Sequence, residues 1–284
     1  MSEVLIELER SGIRLSKREG QHLVMDPALL ERMVEYGEIS QEDTVLEIGA
    51  GVGNLTELLA RRAGKVIAVE KDARLYRLTK ARLRKTRNVE LVLGDALKIP
   101  MPEFNKVVAN IPYSISSDLT FSLLERPFKL AVLMYQKEFA RRLVAEPGSD
   151  DYGRLTVNVY CKAKIELLED VPPESFFPRP EVTSTIVRLA PKPSPFEVHD
   201  EAFFSRLVRG LFQHRRQRVR NAIFHSFEEI FSGWRLSKEQ RREFIDKTIP
   251  KKFADAHVVT IPPESFSEIS NLISTATKKI LTKS

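Results

Sequence analysis

The chain has 284 residues, 42% of them hydrophobic, enough for one large domain and a small one. No apolar run has bilayer-spanning length and the N-terminus is polar, which argues against a membrane span or a secretory leader and leads us to expect a cytoplasmic protein. The single cysteine, Cys161, excludes a disulfide framework or a cysteine-rich zinc site and is expected to fill core; the net charge of +6 is uneven, with 17 Lys and Arg against 11 Asp and Glu in residues 191–284 but 28 of each in residues 1–190.

Residues 1–20 are charged and read as a flexible basic arm. Asp26 then caps a helix that starts at Pro27, runs to about Tyr36 and is closed by Gly37. His22, just ahead of it, is by itself a surface or capping histidine. The run Val45-Leu46-Glu47-Ile48 enters Gly49-Ala50-Gly51-Val52-Gly53 and then apolar residues at helical spacing, so strand, tight turn and helix are expected. Glycines at positive φ let a ligand approach bare backbone. Their spacing is one residue shorter than the dinucleotide fingerprint, and Glu47 precedes them, so a pyrophosphate cradle is not indicated. The turn resembles the S-adenosylmethionine turn of Rossmann-like methyltransferases.

Lys65–Glu70 predicts a buried strand ending in a carboxylate 21 residues beyond Gly49, an offset suited to ribose hydroxyls. Asn88–Leu93 predicts a third strand that leads into Asp95, where a carboxylate can accept from an adenine amino group. Lys106–Ala109 is a fourth, running into Asn110-Ile111-Pro112-Tyr113. The Asn110 side-chain oxygen and a backbone carbonyl around Ile111 and Pro112 are suited to hold the two hydrogens of an adenine amine, with Tyr113 packed near the base. Ser116 and Ser117 are expected to cap a helix to about Glu125; a strand over Leu130–Tyr135 and a helix over 137–145 continue the alternation of a mostly parallel, two-face-covered sheet. From Leu155 to Leu167 apolar residues alternate, which by period alone is one long strand. Phe176-Phe177-Pro178-Arg179-Pro180 precedes a last strand over Val182–Leu189, expected to form a hairpin with its predecessor, and aromatics held by prolines suit stacking on an extruded base. The proline-rich stretch 191–195 sets the expected boundary between domains 1–190 and 191–284. Beyond it a helix over Glu201–Phe212, the basic run from His214 to Asn221, and short helices including Leu236–Ile245 and Pro263–Leu281 predict an all-helical basic module. On a helix Arg216 and Arg220 would share a face suited to successive phosphates.

Taken together, Gln21-His22-Leu23, Glu47–Gly51, Glu70, Gly94-Asp95-Ala96, Asn110–Tyr113, Gln136-Lys137-Glu138, Tyr152–Leu155, Phe176–Pro180 and Arg215–Asn221 resemble the ribosomal RNA adenine dimethyltransferase family almost end to end, closest to members acting on small-subunit rRNA and of archaeal or eukaryotic type. The resemblance implies an α/β, Rossmann-like class I methyltransferase fold with a mostly parallel seven-stranded sheet, and a helix near Gly153–Cys161 in place of the first half of the long strand. It implies S-adenosylmethionine as cofactor, held by His22, Val24, Gly49, Glu70, Asp95 and Asn110, with no metal. Asn110, Ile111, Pro112 and Tyr113 would hold the target amine, Phe176 would stack on the flipped base, and Arg215, Arg216, Arg218 and Arg220 would contact RNA. The implied partners are small-subunit rRNA and the immature small subunit, met by a monomer that dimethylates two adjacent adenosines near the 3′ end. Departures are His22 and Leu23, where many relatives have Asn and Phe, and Gln217, where lysine is frequent. The alternatives are a large-subunit rRNA adenine methyltransferase and a non-catalytic assembly or nucleic-acid-binding factor on the same fold; the intact Asn110–Tyr113 turn with Glu70 and Asp95 speaks against the latter.

Overall fold

The computed structural model describes residues 3–17 and 20–281, in two compact units: Met1–Ala140 with Ala163–Pro191, and Arg141–Lys162 with Lys192–Ser284. This differs from the expected domains 1–190 and 191–284 in placing Arg141–Lys162 with the C-terminal part. The cause is packing, because Tyr152, Val157 and Cys161 are buried in one apolar cluster with Leu207, Leu211 and Phe266.

The first unit runs α1 (Glu3–Arg10), β1 (Leu23–Val24), α2 (Pro27–Tyr36), β2 (Thr44–Ile48), α3 (Asn54–Arg62), β3 (Lys65–Glu70), α4 (Ala73–Arg82), β4 (Val89–Leu93), β5 (Lys106–Asn110), α5 (Ser116–Leu124), β6 (Leu130–Gln136) and the start of α6 (Lys137–Leu143), then β7 (Ala163–Val171), β8 (Phe176–Phe177) and β9 (Ser184–Pro191). Seven strands form one sheet in the order β4-β3-β2-β5-β6-β9-β7. The first five are parallel, and β9 is antiparallel to both of its neighbours. The expected hairpin of the last two long strands is present, with β9 also paired to β6. Strands covered on both faces must be apolar along their whole length, and Ala131–Tyr135 of β6 are all fully buried. The cap of α2 is as expected: the Asp26 side chain accepts from the Ala28 N–H and Pro27 opens the helix. Neither Ser116 nor Ser117 caps α5; the Ser116 carbonyl instead accepts from the Thr120 hydroxyl at 2.6 Å.

The arm expected over residues 1–20 is in part a helix, α1, whose Leu8 is buried with Val52 and Leu75; Arg18 and Glu19 lie outside the described residues. The second unit contains α7 (Arg154–Lys162), α8 (Glu201–Gln213), α9 (Val219–His225), α10 (Phe227–Ile230), α11 (Lys238–Thr248), α12 (Lys251–Ala254) and α13 (Pro263–Leu281), and no strand of its own among the described residues. Residues 154–162 are helical, because the alternating letters Leu155 and Val159, Val157 and Cys161 are equally i,i+4 pairs on a helix. A helix here is expected to cover the sheet, yet its Val157 and Cys161 belong to the helical unit's core. Cys161 is core filler: its thiol donates to the Val157 carbonyl and burial pushes it up to about 12. No helix among the described residues is long and apolar enough to cross a membrane.

Candidate active site

The strand order reverses between β2 and β5, and in an open parallel sheet the crevice outside the carboxyl ends at such a point is where ligands bind. A cavity of about 550 Å³ lies there. His22, Val24, Gly49, Glu70, Asp95 and Asn110, the six residues expected at a cofactor, all line it. Gly49, Gly51 and Gly53 take φ of +83°, +59° and +83°, which side-chain-bearing residues rarely adopt, and a Cβ on Gly51 would stand 2.7 Å from Leu23 Cδ2. Gly49 and Gly51 line the cavity and leave bare backbone facing it.

The Glu70 carboxylate at the end of β3 accepts from the Gly51 N–H and the Asp72 N–H, each at 2.8 Å. Burial raises its pKa, and the backbone N–H groups hold it back. Each oxygen keeps a lone pair for a further donor. Asp95 follows β4, and its carboxylate accepts from the Leu97 N–H at 3.1 Å and lies 3.3 Å from the Lys71 ammonium. The N–H first, and then Lys71, keep it below the usual carboxylate range. It is thus both the turn former that such an aspartate commonly is and a wall of the cavity.

Asn110 ends β5. Its amide Nδ2 donates to the His22 carbonyl at 2.8 Å, which settles the orientation of the amide and turns Oδ1 away as an acceptor. The Pro112 carbonyl accepts from the Ile115 N–H at 3.1 Å, so the Ile111 carbonyl is the better second acceptor in this turn; the Ile111 side chain is buried. Tyr113 is fixed on two sides, its hydroxyl 2.6 Å from Ser184 Oγ and its ring stacked on His22 with centroids 5.6 Å apart. His22 Nδ1 lies 2.6 Å from the Pro178 carbonyl. One histidine therefore ties together the cavity, the Asn110–Tyr113 turn and the Phe176–Pro180 turn.

Strands β1 and β8 pair antiparallel, Leu23 with Phe177 and Val24 with Phe176. Phe176, expected as the stacking ring, is only 4% exposed and packs in the sheet core with Val24, whereas Phe177 is 44% exposed. The ring this turn presents to solvent is Phe177.

Three further residues, to which sequence alone assigns no role, belong to the site. Glu47 lies within β2, fully buried at the cavity wall, and its Oε2 has no hydrogen-bond partner among the described residues. Burial first, and then the nearby Glu70 carboxylate, raise its pKa to about 8. A carboxyl inside an otherwise apolar strand is costly, and that cost is the sequence signal for it. Gln21 donates to the Asp72 carboxylate at 2.9 Å and also lines the cavity. Ser184 anchors Tyr113 but carries no local pattern.

In the second unit the basic run departs from expectation. Arg216 lies in the turn between α8 and α9, so it does not share a helix face with Arg220; α8 ends when His214 leaves helical geometry, and Arg218 bridges to His257 before α9 begins. Arg215 donates to the Ser149 and Asp150 carbonyls at 3.2 and 2.9 Å. Arg218 and Arg220 share the Asp255 carboxylate. Arg216 is exposed and has no side-chain partner among the described residues.

A seven-stranded sheet of this order, with a glycine turn after β2 and carboxylates after β3 and β4, defines a class I methyltransferase. Likeness to known proteins narrows this. The family model described as "Ribosomal RNA adenine dimethylase" matches residues 13–261, and the chain belongs to that family of methyltransferases. It is 47% identical over 253 residues to a "Probable ribosomal RNA small subunit methyltransferase A" of Methanosarcina acetivorans, covering 89% of this chain and 91% of that one, and 45% identical over 267 residues to one from Methanopyrus kandleri, covering 93% and 94%. Among solved structures it is similar to a dimethyladenosine transferase from Plasmodium falciparum, with TM-score 0.74, 32% identity and coverage of 87% and 95%, and to the 23S rRNA methyltransferase ErmE, with TM-score 0.63, 26% identity and coverage of 89% and 99%. S-adenosylmethionine is the cofactor of the family. The cavity fits it: two buried carboxyls, one with an unpartnered oxygen, suit a ligand that carries an ammonium and hydroxyl donors, and the glycines would admit its tail to bare backbone.

Proposed function

We propose that this protein transfers methyl groups to N6 of two adjacent adenosines near the 3′ end of small-subunit rRNA, acting on the immature subunit during late assembly. The observation that carries the reading is the Asn110 amide, which lines the cofactor cavity and whose nitrogen is committed to the His22 carbonyl, leaving its oxygen as the acceptor. In the bound complex Glu70 takes the ribose hydroxyls, Asp95 the adenine amino group, and His22, Val24, Gly49 and Asn110 complete the walls. The cofactor supplies a methyl group on a positively charged sulfur.

The chain supplies orientation. An adenine amine is a poor nucleophile because its lone pair is delocalised into the ring. Asn110 Oδ1 and the Ile111 carbonyl accept its two hydrogens and turn the lone pair out of the ring plane, with Pro112 holding the turn and Tyr113 packed beside the base. Nitrogen takes the methyl, and its surplus proton leaves to water, so no base of special pKa is required. In the second unit Arg216 is the residue free to meet a phosphate, and Arg215, Arg218 and Arg220 flank it; exposed ion pairs such as those to Asp255 are worth about 0–1 kcal/mol and exchange readily for a phosphate. Identity of 41–47% to small-subunit relatives, against 26% to the large-subunit enzyme, favours the small-subunit substrate.

Incubation with labelled cofactor and immature small, mature small or large subunits, followed by nucleoside mass spectrometry, should give N6,N6-dimethyladenosine from immature small subunits. Label confined to large-subunit RNA, or no transfer to any of the three, refutes the reading. The family resemblance assigns stacking on the flipped base to Phe176, which in the ligand-free fold is packed beside Val24 next to the exposed Phe177. Phe176→Ala should then depress single-turnover transfer far more than Phe177→Ala. The reverse ranking gives the stacking role to the exposed ring.

A further inference from the structure

The neutral charge balance of residues 1–190 hides a local imbalance. From Lys71 to Arg87 the chain carries eight Lys and Arg against one acid, Asp72. Three of the eight are committed: Lys71 to Asp95, Arg74 to Asp72, and Arg82 to Glu57 and Glu7. Arg77, Lys80, Arg84, Lys85 and Arg87 are all exposed, and none has an acid in ion-pair range among the described residues. Many cations elsewhere in the same unit are matched, as in Arg32 with Glu169, Arg62 with Glu31, Lys65 with Glu90 and Arg188 with Glu38.

Helix stability does not explain the belt. Cations favour a helix C-terminus by about 0.3–1 kcal/mol, but only within the last turn, which covers Lys80 and Arg82 and neither Arg77 nor the residues beyond the helix. Like charges one turn apart on the helix, such as Arg77 and Lys80, repel. The belt also continues the wall of the cavity, since Lys71 and Arg74 line it and α4 starts two residues after β3 ends.

We propose that the exposed cations of Arg77–Arg87 form a second RNA-binding face, on the catalytic unit itself, that grips the phosphate backbone of the RNA bearing the target adenosine. The identity of that RNA rests on the function proposed above; the grip does not. Phosphate contacts of this kind give affinity and register without reading sequence.

The test uses the full chain and purified small-subunit rRNA, with binding measured across a salt series. The variant Arg77→Gln/Lys80→Gln/Arg84→Gln/Arg87→Gln should bind rRNA at least tenfold more weakly at low salt. Its log–log salt slope should be shallower by about 0.7–0.9 for each phosphate that the variant no longer neutralises. Cofactor affinity, measured by calorimetry, should stay unchanged, since none of the four lines the cavity. If that variant loses cofactor binding through misfolding, Lys80→Glu decides alone: one reversed charge on an exposed side chain should lower both affinity and slope. An unchanged salt slope in whichever variant folds overturns the proposal. Failure of wild-type methyl transfer with a flattened slope in the variant would instead strike the proposed function and leave this face standing.

Discussion

Asn110→Ala should reduce single-turnover methyl transfer by about 10²- to 10³-fold, the loss that follows removal of one preorganised polar group at a reacting centre. The truncation deletes the Oδ1 acceptor. It also strands the His22 carbonyl that Nδ2 satisfies at 2.8 Å, so the turn loses its tie to the segment that reaches Pro178. The fold should persist, since β5 is held by parallel pairing to β2 and β6. Cofactor affinity should fall far less than the rate, because Glu70, Asp95 and the glycine turn are untouched. Asn110→Asp separates the two contributions: it keeps an acceptor oxygen but sets a carboxylate against the His22 carbonyl, and should also be strongly impaired. Turnover within threefold of wild type in Asn110→Ala would remove the amide from the chemistry.

The parallel core was legible because burial on both faces forces continuous apolar runs, as in Lys65–Glu70 and Leu130–Gln136, and because glycines at forced positive φ mark the turn after β2. Glu70, Asp95 and Asn110 were legible as candidates for the same reason: they sit at or just past strand ends, and the strand order brings those ends to one cavity. What escaped depended on contacts distant in sequence. Strands β1 and β8 are two residues each, below any periodic signal, and exist only because 23–24 meets 176–177. Their pairing buries Phe176 and exposes Phe177, which adjacent identical letters cannot reveal. The α7 segment satisfied both the strand and the helix period, and only the family resemblance chose between them. Arg216 and Arg220 share a face only if one helix spans both, and the break at His214–Arg218 depends on tertiary pairing to His257. A neutral average over 190 residues concealed the basic belt after β3, because charge counted over a long window says nothing about which acids lie close enough to pair.

Glu47 should make cofactor binding pH-dependent. In the ligand-free protein it faces a buried wall, the Thr56 hydroxyl and the Glu70 carboxylate, with no cation acting on it among the described residues, and it holds its proton up to about pH 8 against an ordinary value of 4.5. Between those two pH values the folded state binds more protons than the unfolded chain. The contribution of Glu47 to stability is therefore full below pH 4.5 and declines as pH rises toward 8. A ligand ammonium placed at the unpartnered Oε2 reverses the preference, because an adjacent cation favours the carboxylate, and binding must then expel the proton. Affinity should rise by up to about tenfold per pH unit from pH 6 and level off above pH 8. Glu47→Gln keeps shape and hydrogen-bonding capacity without the titration. In that variant the rise should flatten, affinity at pH 8 should fall below wild type, and ligand-free stability should decline less between pH 5 and 8, since only the Glu70 share remains. Because the ligand's own amine also titrates in this range, the decisive quantity is the difference in protons released between wild type and Glu47→Gln, measured by calorimetry in buffers of different ionisation enthalpy. Equal proton release by the two proteins would show that Glu47 binds its ligand without changing charge, and its place in the wall would then be one of shape and hydrogen bonding alone.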